Sequence, residues 1–265
     1  MKYLFFLSTV LITSCTKNSN EKLELNNLNW IDLTYSFDST TLYWPNNKTT
    51  FEHHTDANGI TRQGYYYSSY SICAPEHGGT HLDAPIHFAK GKYTVDQIPL
   101  KNLTGNAVVI DVSKNALANR DYQISIADIT NWELENGEIQ KNTIILFKTG
   151  YGKYYPNRGD YFGTPKTGIE AIPELHFPGI DPETTLWLIK ERAIKAIGLD
   201  TPSLDYGQST DFKTHQILMG NNKPGFENLA NLDQLPATKI YVVALPMKIG
   251  KGSGAPLRII AGIAN

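Results

Sequence analysis

An eleven-residue segment, HGGTHLDAPIH at positions 77–87, limits what this chain can form more than any other stretch. Its two adjacent glycines disfavour a helix by about 2 kcal/mol relative to alanines, so a tight turn is the better prediction there. After the turn, four notable residues recur at every second position: His81, Asp83, Pro85 and His87. An extended chain places such positions on one face, and the proline keeps the segment out of the interior of a sheet.

The same segment has the chemistry of a metal site. It holds three of the seven histidines of the chain and one carboxylate, which are the usual ligands of Zn²⁺ and Mn²⁺. The turn would bring His77 back over His81, so that these two rings and Asp83 converge on one divalent ion. Such an ion keeps a charge of about +1 and can lower the pKa of bound water towards about 7. His87 lies about 13 Å beyond Asp83 in an extended chain, which is too far for the same ion unless the chain curls, so we predict a nearby acid or base rather than a ligand.

Composition and charge exclude some classes of protein. The 265 residues are 41% hydrophobic and 19% charged, which is typical of a globular chain with one large or two small domains. The net charge of -2 argues against a nucleic-acid partner, because proteins that bind nucleic acid carry a basic surface.

The N-terminus has the features of a bacterial lipoprotein signal. A lysine at position 2 precedes an apolar run over residues 3–12, which is too short to span a bilayer comfortably. The run leads into ITSC, which resembles a lipobox, so residues 1–15 predict a signal peptide with acylation at Cys15. Residues 16–28 predict a flexible tether, and we expect a protein lipid-anchored to the membrane of the cell envelope, on the periplasmic or surface side. A secretory signal that contains a cysteine by chance is the alternative.

Four other residues with metal-binding side chains are predicted to be structural. Cys73 is expected to be a small buried apolar residue, because free cysteine is among the most buried residue types. If Cys15 is acylated, no intrachain disulfide is possible. His53, His54 and His176 have no clustered context, and we expect them at the surface or, for His176, in a turn.

The secondary-structure pattern predicts an α/β fold. Strands are expected where β-branched or aromatic residues form short runs, at 29–34, 65–73, 108–112, 143–148, 196–200, 239–245 and 257–261. A helix is expected to begin at Ser125 and to end at Asn136–Gly137, and a second to begin at Asp181–Pro182. Residues 215–219 open a further helical or buried segment. Strands interleaved with helices are typical of the α/β class.

The motifs of this chain resemble those of one known family. Residues 77–87 match the H-x-G-T-H-x-D-x-P-x-H signature of the cyclase-like metal-dependent hydrolases, which include bacterial kynurenine formamidase and isatin hydrolase. Other stretches resembling family segments are WIDLT at 30–34, WP at 44–45, FKTGY at 147–151, GLDTPSLD at 198–205, His215 with ENL at 227–229, and GAPLR at 254–258. Lys148 and Tyr151 stand where the family segment has Arg and Trp, which we expect to alter the pocket.

The resemblance implies a fold, a ligand set and a partner. It implies a single domain over residues 29–265 with a mixed, barrel-like sheet flanked by helices, and it implies a homodimer. It also implies that His77, His81 and Asp83 hold one ion, Zn or Mn. A second ion would be held by Asp83, His215 and Glu227, with Asp83 bridging. On spacing alone, a surface histidine and an exposed glutamate would be the better interpretation of His215 and Glu227.

The resemblance also implies a reaction. We expect hydrolysis of an amide-like C–N bond in a small molecule, either an arylformamide such as N-formylkynurenine or a small cyclic amide. Hydroxide formed at the ion would attack the carbonyl, and His87 would transfer a proton to the leaving nitrogen. The alternative hypothesis is a lipoprotein that binds a metal or a ligand without turning it over. The enzyme is favoured because His87 has a natural catalytic role and no obvious binding role.

Overall fold

The structure, a computed structural model, describes residues 27–264. Within this range the strands are β1 (Leu28–Asp32), β2 (Glu52–Ile60), β3 (Tyr66–Cys73), β4 (His81–Asp83), β5 (Thr104–Asp111), β6 (Gln123–Ile124), β7 (Ile144–Lys148), β8 (Gly179–Ile180), β9 (Ala196–Leu199), β10 (Gly225–Glu227), β11 (Ile240–Pro246) and β12 (Gly254–Ala264). The α-helices are α1 (Ser113–Ala118), α2 (Ile126–Asn136), α3 (Arg158–Phe162), α4 (Pro182–Glu191) and α5 (Lys213–Gly220).

The main sheet closes into a barrel. Its strand order is β1-β12-β11-β5-β7-β9-β10-β4, and β4 also pairs with β12. The long strand β12 allows this, because one of its edges pairs with β4 near Gly254–Pro256 and with β1 further along. Seven strands therefore form a ring, and β1 continues the sheet outside it. Pairs among β5, β7, β9 and β10 are parallel and the others antiparallel, which confirms the predicted α/β fold with a mixed, barrel-like sheet.

The strands of the barrel are apolar on both faces because both faces are covered. In β7, Ile144 and Leu146 belong to a cluster to which all seven barrel strands contribute, and this cluster fills the interior. Ile145 and Phe147 alternate with them and pack under α2, α4 and α5. All four side chains are fully buried. Burial on both sides explains why the run reads as continuous hydrophobic sequence rather than as an alternating strand.

Helix boundaries follow the capping residues. Ser125 Oγ accepts from the N–H of Asp128, and the Asp128 carboxylate accepts from the N–H of Ser125, which forms a capping box at the start of α2. Asp181 accepts from the N–H groups of Glu183 and Thr184, with Pro182 in the first turn of α4. The two helices predicted from these caps are confirmed.

Strands β2 and β3 form a separate two-stranded ribbon outside the barrel. Both strands are exposed almost throughout. Their register places four large apolar side chains on one face, Ile60, Tyr66, Tyr70 and Ile72, while Tyr67 lies on the other face. The other face carries Ser69 and Ser71, and Ser71 Oγ donates to Asp56 at 2.7 Å. The ribbon is thus amphipathic, with an apolar face that the rest of the described chain leaves exposed.

Cys73 corrects one prediction. The strand predicted to end at this residue is present, but the thiol is free and exposed rather than buried. The reason is that the strand belongs to the ribbon and not to the barrel, so burial statistics for free cysteine do not apply to it.

The predicted signal over residues 1–15, with Cys15, and nearly all of the predicted tether lie outside the described residues. Between residues 27 and 264, every helix is too short or too polar to cross a bilayer.

Candidate metal centre

Strands β4 and β10 position three acidic or imidazole side chains. Antiparallel pairing sets His81 opposite Glu227 and Leu82 opposite Phe226. Successive side chains of a strand point to opposite faces, so Leu82 and Phe226 enter the barrel core. His81, Asp83 and Glu227 share the other face. There His81 Nε2 lies 3.2 Å from Asp83 Oδ1 and 3.4 Å from Glu227 Oε2.

The glycine turn brings His77 back to the same centre. Gly79 has a φ of +55°, a left-handed conformation that favours glycine, and its N–H donates to the carbonyl of Leu42 at 2.9 Å. His77 Nδ1 then lies 2.6 Å from Asp83 Oδ1, and the ring centroids of His77 and His81 are 5.4 Å apart. The structure therefore brings together the first three ligands expected from the sequence.

His215 approaches from α5, whose first turn is held by Asp205. The Asp205 carboxylate accepts from the N–H groups of Thr214 at 2.9 Å and His215 at 3.1 Å. It also accepts from His215 Nδ1 at 2.5 Å, which leaves Nε2 for the centre. That Nε2 lies 3.2 Å from Asp83 Oδ2 and 3.1 Å from Glu227 Oε1. His215 and Glu227, whose spacing alone decided nothing, meet at Asp83.

His87 lies much closer to the centre than an extended chain would allow. Residues Pro85–His87 form a turn of 3₁₀ helix, so the chain curls directly after β4. The His87 ring stacks on His77 with centroids 3.8 Å apart. Nitrogen or oxygen atoms of His77, Asp83 and His87 lie within 4.8 Å of one another, as do those of His81, Asp83 and Glu227. The expectation of an extended face through His87 was wrong, because the chain leaves the extended conformation at Pro85 and curls into this turn.

The donor set fits one or two divalent cations. Zinc–ligand bonds of about 2.0–2.1 Å place neighbouring ligand atoms about 3.3 Å apart, and four pairs around this centre are separated by 3.1–3.4 Å. The N–H at Nδ1 of His81 donates to the carbonyl of Gly79 at 3.0 Å, which frees its Nε2 for the centre. Asp83 faces all three imidazoles of this set, with Oδ1 towards His77 and His81 and Oδ2 towards His215.

The electrostatics suit a cation. Burial alone would raise the pKa of Asp83, but His77 and His81 outweigh it and hold the pKa well below the ordinary value. Burial would lower the pKa of His81, yet Asp83 raises it to about 9. The pKa of His215 is likewise raised, by hydrogen bonds to carboxylates, and burial with the charge of Asp83 raises that of Glu227. A divalent ion would replace the protons that such imidazoles hold.

His87 differs from the other imidazoles. It sits at the rim, partly open to solvent, but is enclosed by the His77 ring and by Phe88. Desolvation lowers the pKa of His87 to about 4, with His77 and His215 acting in the same direction and Asp83 opposing. The ring is therefore neutral at pH 7 and has a lone pair that can accept a proton.

The centre forms the floor of a cavity of about 270 Å³. Four aromatic side chains contribute to its walls: Trp44, Phe88, Phe162 and Phe212. Phe212 has a φ of +50°, and its ring approaches Phe88 at 5.4 Å between centroids. An unfavourable backbone conformation of this kind is typical of positions held for function. Lys148 and Tyr151, which we expected to alter the pocket, are not among the residues that line it.

Two supporting residues were missed at the sequence level. Asp205 orients His215, and Asn228 Nδ2 donates at 2.7 Å to the same Gly79 carbonyl that accepts from His81. Both lie in stretches quoted for their resemblance to the family, 198–205 and 227–229. Their place in these two stretches was the only signal in the sequence, because no regular spacing links either residue to the histidine that it supports.

Sequence comparisons agree with this geometry. A family described as "Putative cyclase" matches residues 31–206. The isatin hydrolase of Roseibium aggregatum is 32% identical over 194 residues, which cover 70% of this chain and 71% of that protein. The kynurenine formamidase of Salinibacter ruber is 27% identical over 235 residues, or 87% of this chain and 95% of that protein.

Solved structures give the same result. An isatin hydrolase bound to the product analogue thioisatinate has a TM-score of 0.81 and 28% identity, covering 91% of this chain and 94% of that one. Isatin hydrolase A from Labrenzia aggregata, bound to benzyl benzoate, has a TM-score of 0.79 and 32% identity, with coverages of 92% and 96%.

Proposed function

The chain belongs to the cyclase family of hydrolases, and from this premise we propose that it cleaves the amide C–N bond of a small aromatic molecule. The preferred substrate is a cyclic amide of the isatin type rather than an open-chain arylformamide. One observation carries the proposal. Imidazoles and carboxylates from three separate parts of the chain, residues 77–83, His215 and Glu227, converge on one wall of an aromatic cavity. The relatives named above are hydrolases, which favours turnover over the alternative of a lipoprotein that only binds.

We assign the ligands by their positions. His77, His81 and Asp83 would hold one ion, and Asp83, His215 and Glu227 a second. The ion, zinc or manganese, supplies a Lewis acid that polarises the amide carbonyl and makes water a better nucleophile. Asp205 and the carbonyl of Gly79 keep His215 and His81 in the tautomer that faces the centre.

His87 is the proposed proton carrier. Its neutral ring lies against His77, beside the centre and at the rim of the cavity. From there it can take a proton from the attacking water and deliver it to the leaving nitrogen. The rings of Trp44 and Phe212 would pack on the substrate and exclude bulk water.

The cavity favours a neutral cyclic amide. N-formylkynurenine carries an α-carboxylate, which a buried site would pair with Lys or Arg. Among the described residues that line the cavity there is neither Lys nor Arg. Its volume of about 270 Å³ is also small for a substrate that extends well beyond one fused ring system.

Hydrolysis of isatin and of N-formylkynurenine by the purified protein tests the proposal. We expect turnover after loading with Zn²⁺ or Mn²⁺, loss of turnover after chelation, and a higher kcat/KM for isatin. Preference for N-formylkynurenine would move the substrate to the arylformamide class. Tight metal binding with no hydrolysis of either class would support the binding-only alternative.

We also propose that Cys15 is acylated and holds the enzyme at the bacterial cell envelope. The support is the lipobox-like sequence after an apolar run of signal-peptide length. Mass spectrometry of the mature N-terminus should find a lipid on Cys15. An unmodified N-terminus at another residue would contradict the assignment.

Finally, we propose a homodimer that forms through the ribbon of β2 and β3. A two-stranded ribbon is marginally stable alone, so its apolar face needs a cover. On this face, Tyr66 is 61% exposed and Tyr70 is 42% exposed. With about 150–250 Å² per aromatic side chain these two present about 200 Å², roughly a quarter of the ~800 Å² that each partner buries in a standard interface. Ile60 and Ile72 add to this area, so a second copy of the chain is the proposed cover.

The oligomeric state tests this interface. Light scattering of a soluble form without the lipid anchor should give a dimer, and replacing Tyr66 and Tyr70 by serine should give a folded monomer. A wild-type monomer would refute the dimer. Binding of that monomer to vesicles would identify the membrane surface as the partner of the ribbon.

A further inference from the structure

We infer that Glu76 and Ser253 are a positioning pair that selects which nitrogen of His77 faces the metal centre. This inference rests on the metal site proposed above and adds two residues to it. Among the three histidines assigned as ligands, the outer nitrogen of His81 meets a backbone carbonyl and that of His215 meets an aspartate. The outer nitrogen of His77 meets neither. Instead Ser253 Oγ lies 2.9 Å from His77 Nε2.

The direction of these hydrogen bonds follows from proton counting. Glu76 Oε2 lies 2.6 Å from Ser253 Oγ and 2.8 Å from the backbone nitrogen of Ser253. A carboxylate only accepts, so the single hydroxyl proton of Ser253 is donated to Glu76. Ser253 Oγ then has no proton left for His77, and it accepts from the N–H at Nε2 of that ring.

A proton fixed on Nε2 makes Nδ1 the ligand atom of His77. Nδ1 is also the nitrogen that faces the centre, 2.6 Å from Asp83 Oδ1. His81 and His215 have the opposite arrangement, because each donates from Nδ1 and presents Nε2. The centre would thus combine one Nδ1 ligand with two Nε2 ligands.

The backbone around Ser253 is shaped to accept the His77 ring. A Cβ added at Gly254 would lie 2.4 Å from Cε1 of His77, so a side chain there would displace the ring. Glu76 Oε2 also accepts from the N–H of Gly254 at 3.3 Å, which ties this strand end to the residue directly before His77. Outer hydrogen-bond partners of metal-bound histidines are typically worth 10–100-fold in metal affinity.

Selective ¹⁵N-histidine labelling of the zinc-loaded protein tests the tautomer directly. Long-range proton–nitrogen correlation spectra distinguish a ring ligated through Nδ1 from one ligated through Nε2. We expect His77 to show a ligated Nδ1 and a protonated Nε2, with His81 and His215 reversed. An Nε2-ligated His77 would overturn the inference, while a protein that binds neither zinc nor manganese would instead overturn the proposed function.

Substitutions test the energetic role. Ser253→Ala should weaken zinc affinity 10–100-fold in competition with a chelator and should mix the tautomers of His77. Ser253→Thr, which keeps the hydroxyl, should restore both. Ser125→Ala is the matched control, because it breaks an equivalent serine–carboxylate pair at the start of α2, far from the centre. Equal zinc affinity in Ser253→Ala and wild type would refute the role, and the wild-type spectrum decides the tautomer even if that variant does not fold.

Discussion

Replacing His87 with alanine separates proton transfer from metal binding. The ring stacks on His77 at 3.8 Å and sits at the rim, whereas the other imidazoles and carboxylates of the centre are packed against one another at 2.6–3.4 Å. Removing His87 therefore leaves His77, His81 and His215 with their outer hydrogen bonds intact. We expect the variant to retain its metal.

The expected cost is in turnover. A positioned general acid–base group contributes about 10²–10⁴-fold, which corresponds to about 3–5 kcal/mol in the activation barrier. The exposed edge of His87 limits its contribution to folding, so the free energy of unfolding should fall by no more than about 1 kcal/mol. The change should therefore appear in kcat with little change in Tm.

Three measurements on one preparation check this reasoning: metal content by elemental analysis, kcat and KM for isatin, and thermal unfolding. His176→Ala is the control, because His176 also pairs with a carboxylate, Asp121, but at the surface away from the cavity. Full turnover in His87→Ala would remove this residue from the mechanism. Loss of the metal would instead identify His87 as a ligand, in agreement with its close grouping with His77 and Asp83.

His81→Ala should lose most of the bound metal, since it removes a buried ligand atom that faces two carboxylates; retention of stoichiometric metal by elemental analysis would contradict the ligand set. Asp205→Asn should weaken metal affinity about 10–100-fold, measured by chelator competition, because His215 loses the carboxylate that fixes its tautomer; unchanged affinity would count against this role. Glu133→Gln should lower the free energy of unfolding by about 1–2 kcal/mol at pH 7, because Glu133 accepts two hydrogen bonds from Arg192. Those bonds lower the pKa of Glu133 below its ordinary value of 4.5. The stabilisation is therefore present at pH values above 4.5 and is lost as the pH falls through the lowered pKa. If the difference between the variant and wild type in urea unfolding does not shrink in acid, the pairing is contradicted.

The parts of the centre that were predictable are local in the sequence. His77, His81 and Asp83 lie within seven residues, and a glycine turn followed by a period of two is enough to bring them together. The caps of α2 and α4 were predictable for the same reason, since each depends on residues within one turn of helix.

The parts that residue spacing alone could not predict, and that only the family resemblance indicated or that were missed, depend on tertiary structure. Glu227 faces His81 because β4 and β10 are neighbours in a particular register, and local sequence carries no signal for that register. The curl after β4 that moves His87 inward is a tertiary outcome as well, because Pro85 permits either an extended edge or a tight turn. Cys73 shows the converse error, in which a statistical preference for burial fails in a ribbon outside the core.

The three residues of strand β4, His81–Asp83, pair with β10 along one edge and with β12 along the other, and these pairings close the barrel. Two of the three residues, His81 and Asp83, also belong to the metal centre. The same strand therefore determines both the closure of the barrel and the geometry of the centre, so a sequence change that alters one also alters the other. Adaptation to a new substrate is then directed away from this strand and into the loops that bear Trp44 and Phe212. Enzymes of this architecture would diverge in what they admit while keeping the chemistry they perform.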